Sequence, residues 1–97
     1  MPIQLLYFDG CPNWQLTDER LREALGRIGR DDRVEYWRVQ TPEEADATGF
    51  HGSPTLLVNG RDPFPAAGNV GLACRVYPTP DGPAGAPTVE QLVEVVK

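Results

Sequence analysis

Hydrophobic positions in this chain come in short runs, and the runs alternate between strand-like and helical patterns. Ile3-Gln4-Leu5-Leu6-Tyr7-Phe8 is apolar and aromatic with little alternation, as a central strand buried on both faces would be. Asp9-Gly10 breaks it, and Cys11-Pro12-Asn13-Trp14 opens a helix with Pro at the first helical position and Cys11 at or near the N-cap. Leu21, Ala24, Leu25 and Ile28 follow at helical spacing until Asp31-Asp32 marks the exit. Residues 33–39 mix β-branched and aromatic side chains with charges and predict a second strand near the sheet edge. Tyr7, Phe8 and Trp37 are expected in the core. Thr41-Pro42-Glu43-Glu44 is a capping box that starts a short helix ended by Gly49. Residues 55–58 predict a third strand, followed by the hairpin dipeptide Asn59-Gly60. Pro63 and Pro65 cannot donate to a ladder, so the fourth strand is expected later, over residues 72–77. Thr88-Val89-Glu90-Gln91 is a second capping box, and Leu92, Val93 and Val96 give the last helix its apolar side.

The order β-α-β-α-β-β-α predicts an α/β fold. A right-handed crossover makes the first two strands parallel, and the closing hairpin is antiparallel. The expectation is a four-stranded mixed sheet with helices on both faces. With 97 residues the chain reads as one domain over 1–97. Hydrophobic residues at 40% and charged residues at 24% are ordinary globular values. Nine basic against fourteen acidic residues give a net charge of −5, which argues against nucleic-acid and anionic-membrane partners. No apolar run approaches a membrane span, and the N-terminal run lacks a basic leader and a cleavage site, so the expected location is cytoplasmic. Of ten glycines and ten prolines, eleven fall between Gly60 and Pro87. Segments 61–71 and 78–87 are therefore expected to be irregular and exposed.

Two cysteines in a cytosolic chain are more often free, catalytic or ligating than structural crosslinks. Cys11 lies after a strand at a helix start, where the positive helix end favours the thiolate, the reactive form. Asp9, two residues away, carries a like charge that opposes it. A Cys11→Ser variant is expected to lose reactivity with little change in stability, because Ser suits an N-cap. Trp14 either packs at the helix start or shields the thiolate and floors a substrate site. Arg75 is expected to be solvated or paired with an acid, and His51 is a weak candidate third metal ligand. In a simple hairpin register Cys74 faces Leu56, about 7 Å from the level of Pro54, so whether it reaches Cys11 stays open.

Cys11-Pro12 at a helix start, with Gly52-Ser53-Pro54-Thr55-Leu56-Leu57-Val58-Asn59-Gly60 later, resembles the thioredoxin-like superfamily. The resemblance implies that Cys11 is the nucleophile and that Pro54 is cis beside it. It also implies that Ser53, Pro54 and Thr55 contact substrate. Trp14 stands where the second cysteine of Cys-x-x-Cys would be, so exchange within that motif is ruled out, and Leu5 replaces the buried acid of the first strand. Leu72-Ala73-Cys74-Arg75-Val76-Tyr77 and Ala86-Pro87-Thr88-Val89-Glu90 resemble the end of the organomercurial (alkylmercury) lyase core. That resemblance implies a Cys11–Cys74 pair able to hold mercury or another soft metal, with Asp9 as a candidate acid. The leading expectation is a thiol–disulfide oxidoreductase or thiol-reactive protein using Cys11, with Cys74 as the candidate resolving thiol. Its partner is a thiol or disulfide, protein or small molecule, and no cofactor is implied. The alternatives are an alkylmercury-lyase-like soft-metal protein and a non-enzymatic interaction module.

Overall fold

The structure is a computed structural model that describes residues 2–48, 50, 52–64 and 74–97. β1 (Ile3–Tyr7) is the centre of a three-stranded sheet. β2 (Val34–Arg38) lies parallel to it on one side and β3 (Thr55–Val58) antiparallel on the other. A 15-residue helix, α1 (Asn13–Arg27), makes the crossover between β1 and β2, and α2 (Pro42–Thr48) connects β2 to β3. A separate two-stranded hairpin, β4 (Tyr77–Thr79) and β5 (Gly82–Ala84), precedes α3 (Val89–Val96).

Each sheet face carries its own apolar cluster. Ile3, Leu56 and Val58 pack with Leu21, Ala24 and Leu25 of α1 and Leu92 and Val96 of α3. On the other face Leu6 packs with Val39, Ala45 of α2 and Phe50. This division follows from the period of two along β1 and β3, since neighbouring residues point to opposite faces. β2 is the exposed edge: Tyr36 is 41% and Trp37 45% exposed. The expectation of a core Trp37 is thereby corrected, because an edge strand has a neighbour on one side only.

Among the described residues the main sheet has three strands and not the expected four. Asn59 and Gly60 do take positive φ of 56° and 79°, the signature of a type I′ turn. The hairpin stops after the Val58–Arg61 bridge, where the two residues exchange both backbone bonds. Pro63, which has no N–H to extend the ladder, follows two residues later. Of the expected fourth strand, residues 72 and 73 lie outside the described residues. Cys74 makes a single parallel bridge to Ser53, and Tyr77 belongs to β4 instead. The β4–β5 hairpin sets Pro78 against Pro83, a pair with no N–H groups.

Both capping boxes mark real helix starts. Thr41 Oγ1 accepts from the Glu44 N–H at 3.1 Å. At α3 the box is reciprocal: Thr88 Oγ1 accepts from Gln91 N at 3.1 Å, and Gln91 Oε1 accepts from Thr88 N at 2.9 Å. A Thr88→Ala substitution is expected to cost about 1 kcal/mol. Urea unfolding should show a lower midpoint with an unchanged slope.

Candidate functional site

The end of β1, the start of α1 and the approach to β3 converge on one point. Cys11 follows the Asp9-Gly10 turn, its N–H donating to Phe8 O at 3.2 Å. Pro12 is the N-cap of α1 rather than its first residue, so Cys11 lies one residue further out than the sequence suggested. That first turn has no side-chain cap and no acidic residue. Cys11 is fully buried, with its Sγ 3.6 Å from Ser53 O.

Cys11 and Cys74 form a disulfide with Cα atoms 5.7 Å apart, closing a sequence separation of 63. Cys74 reaches this position at Ser53, not opposite Leu56 as the antiparallel register required. Arg75 N donates to Ser53 O at 2.9 Å and fixes that alignment. Of the two cysteines, Cys11 is buried and Cys74 is exposed. Because Cys11 is the buried half of a crosslink, Cys11→Ser is expected to lower stability as well as reactivity.

Ser53, Pro54 and Thr55 are all buried. The Ser53–Pro54 peptide is cis. Ser53 Oγ accepts from Phe8 N at 3.4 Å, which ties it to the end of β1. Thr55 Oγ1 donates to Gly52 O at 2.6 Å. The Ser53 and Thr55 hydroxyls thus meet the protein's own backbone, and Ser53 is bridged to the Cys74-Arg75 segment.

Sequence reasoning missed the clamp behind Cys74. Arg75, with a side chain only 4% exposed, donates through Nη1 to Asp62 Oδ2 at 2.6 Å and through Nη2 to Phe64 O at 3.1 Å. Its guanidinium lies 4.4 Å from the centre of the Tyr77 ring. The Tyr77 hydroxyl in turn donates to Pro54 O. Arg75 is thus paired, as one of its two expected roles had it, but it is not solvated. No sequence signal selects Asp62 from among the fourteen acids.

No family model, no curated protein and no solved structure matches this chain.

The other candidate residues have separate partners. Asp9 is 71% exposed, with Oδ2 3.2 Å from Arg38 Nη1. It lines an open cleft of about 330 Å³ with Phe8, Gly10, Arg38, Val39 and Gln40, and neither sulfur lines that cleft. Trp14 stacks on Tyr7 at 4.3 Å between ring centres and meets Tyr36 edge-on at 6.3 Å. It belongs to an aromatic row between α1 and the sheet. His51 lies outside the described residues. Among the described residues, no group of three or more His, Cys, Asp and Glu could hold a metal. Among them too, no helix is long and apolar enough to cross a membrane.

Burial pushes the Tyr77 hydroxyl well above the ordinary tyrosine value of 10; Arg75 opposes the shift and Asp62 adds to it. A raised value means that the folded state holds this proton more tightly than the unfolded chain. The corresponding stability is present below pH 10 and lost as pH rises further. In an alkaline titration the Tyr77 phenolate absorbance should emerge together with loss of near-ultraviolet dichroism. Tyr77→Phe should remove that component of alkaline unfolding. A Tyr77 signal that emerged while the fold stayed intact would contradict the buried hydrogen bond to Pro54.

Proposed function

We propose that this chain is a thiol–disulfide exchange protein that cycles between a Cys11–Cys74 disulfide and the dithiol. The observation that carries the reading is the joining of one buried and one exposed cysteine beside the Ser53–Pro54 peptide. A structural crosslink gains from having both sulfurs shielded, whereas exposed disulfides are the labile ones. Cys74 supplies the second sulfur that Trp14, in the x-x-Cys position, cannot. The parallel β1–β2 pair, the antiparallel β1–β3 pair and the placement of Cys11 before α1 favour kinship with the thioredoxin-like superfamily.

Dithiothreitol-driven reduction of insulin tests the reading. The protein should accelerate it above dithiothreitol alone, and Cys11→Ser and Cys74→Ser should each return the rate to background. A wild-type rate equal to background would contradict exchange catalysis.

The same pair of sulfurs supports a second reading, as a two-coordinate site for a soft metal of the mercury or cuprous type. Here the dithiol form would bind one equivalent of the ion, and neither serine variant would. Hg–C cleavage would further need a proton donor other than Trp14, and Asp9 is the acid nearest in sequence to Cys11.

A further inference from the structure

We propose that Cys74, not Cys11, is the sulfur that exchanges with outside thiols and disulfides, and that Cys11 is the internal resolving thiol. The inference rests on the exchange reading above and reverses the roles that the sequence suggests.

Displacement at sulfur runs in line with the bond that breaks. An external thiolate attacking Cys11 would have to approach a residue with no solvent exposure. One attacking Cys74 reaches an exposed residue. A new bond then joins the external sulfur to Cys74 while the Cys11–Cys74 bond breaks. Its electron pair leaves on Cys11 Sγ, and the proton given up by the external thiol on ionising balances the one that this thiolate takes up. Ser53 O, 3.6 Å away, is placed to accept that thiol's hydrogen. Before protonation, the uncapped first turn of α1 eases the charge on the leaving sulfur. A second external thiolate attacks the mixed disulfide at its external sulfur, releasing an external disulfide and the Cys74 thiolate. Two external thiols are oxidised and one protein disulfide is reduced. Run backwards, the Cys74 thiolate attacks a substrate disulfide and the Cys11 thiolate resolves the mixed disulfide at Cys74.

Resolution requires that Cys74 stay beside Cys11 once the bond opens. Arg75 provides this through its backbone bond to Ser53 and its buried pairing with Asp62. The preceding residue, Cys74, is thereby held at the site, which keeps its effective concentration around Cys11 high.

The test compares reduced Cys11→Ser and Cys74→Ser with 5,5′-dithiobis(2-nitrobenzoate), itself a disulfide, under native conditions. Cys74 in the first variant should react at least about tenfold faster than Cys11 in the second. Limiting iodoacetamide on the reduced wild-type protein gives the same comparison without mutation. Digestion with trypsin separates the two cysteines, and label on the Cys74 peptide should dominate. Equal labelling, or preference for Cys11, would overturn the assignment and leave the exchange reading standing. Failure of both sulfurs to react in the folded protein would overturn both.

Discussion

Reduction of the Cys11–Cys74 disulfide is expected to lower the unfolding free energy by about 4 kcal/mol. The crosslink closes a separation of 63 residues. In the chain-entropy account, loops of about 15 and about 100 residues gain roughly 3 and 4.7 kcal/mol, so this loop falls near the upper figure. For a domain of this length the loss corresponds to a fall in Tm of roughly 20 °C. Domains are typically stable by about 5–15 kcal/mol, so the dithiol form stays folded at room temperature. The proposed exchange requires this, because the site must hold in both redox states. The core clusters around β1 do not include the disulfide and remain to hold it. Calorimetry with and without reductant measures the difference. An unchanged Tm would mean that the crosslink does not form in solution. Complete unfolding on reduction would mean that it is structural.

The second large effect is expected at Arg75. Truncation in Arg75→Ala leaves Asp62, whose side chain is 18% exposed, without its cation, and removes the bond to Phe64 O. Breaking one side of a buried pair typically costs about 3–5 kcal/mol, and the partial exposure of Asp62 places this case near 3. Chemical denaturation measures it. The double variant Asp62→Asn/Arg75→Met should recover part of the loss, since no unpaired charge remains. Arg75→Ala should also make the disulfide easier to reduce, because Cys74 is then held less firmly beside Cys11. Loss of stability with unchanged reducibility would show that the Asp62–Arg75 pair supports the fold without positioning Cys74.

Local signals in the sequence placed most of the elements but not the last part of the sheet. The unbroken apolar run before Asp9 marks β1, and the spacing of Leu21, Ala24 and Leu25 marks the buried side of α1. Asn59-Gly60 produces its turn, and Thr88 with Gln91 produces a complete cap. Each of these depends on neighbours within a few residues. The expected strand over 72–77 depended instead on long-range pairing with β3. There the crosslink to Cys11 and the Arg75–Ser53 bond hold the chain at the near end of β3, in a parallel sense. Pairing of Asp62 with Arg75 is equally non-local, since no pattern distinguishes one acid from thirteen others. At the site, Cys11, Cys74, Ser53 and Pro54 lie together, while Asp9 and Trp14 engage Arg38 and Tyr7. Proximity in sequence to Cys11 did not decide which side chains meet it. The direction in which the Asp9-Gly10 turn and the first turn of α1 leave β1 did.

The central claim is that the Cys11–Cys74 pair is an exchanging couple rather than a fixed crosslink, and its midpoint potential tests this directly. Equilibration in glutathione redox buffers, followed by thiol trapping and intact mass, should give a two-electron transition with a tenfold change per about 30 mV. The expected midpoint lies above about −300 mV, within reach of cellular thiol pools, with the protein folded throughout. A pair that stays oxidised down to potentials well below that value would be a structural disulfide, and the exchange reading would be wrong.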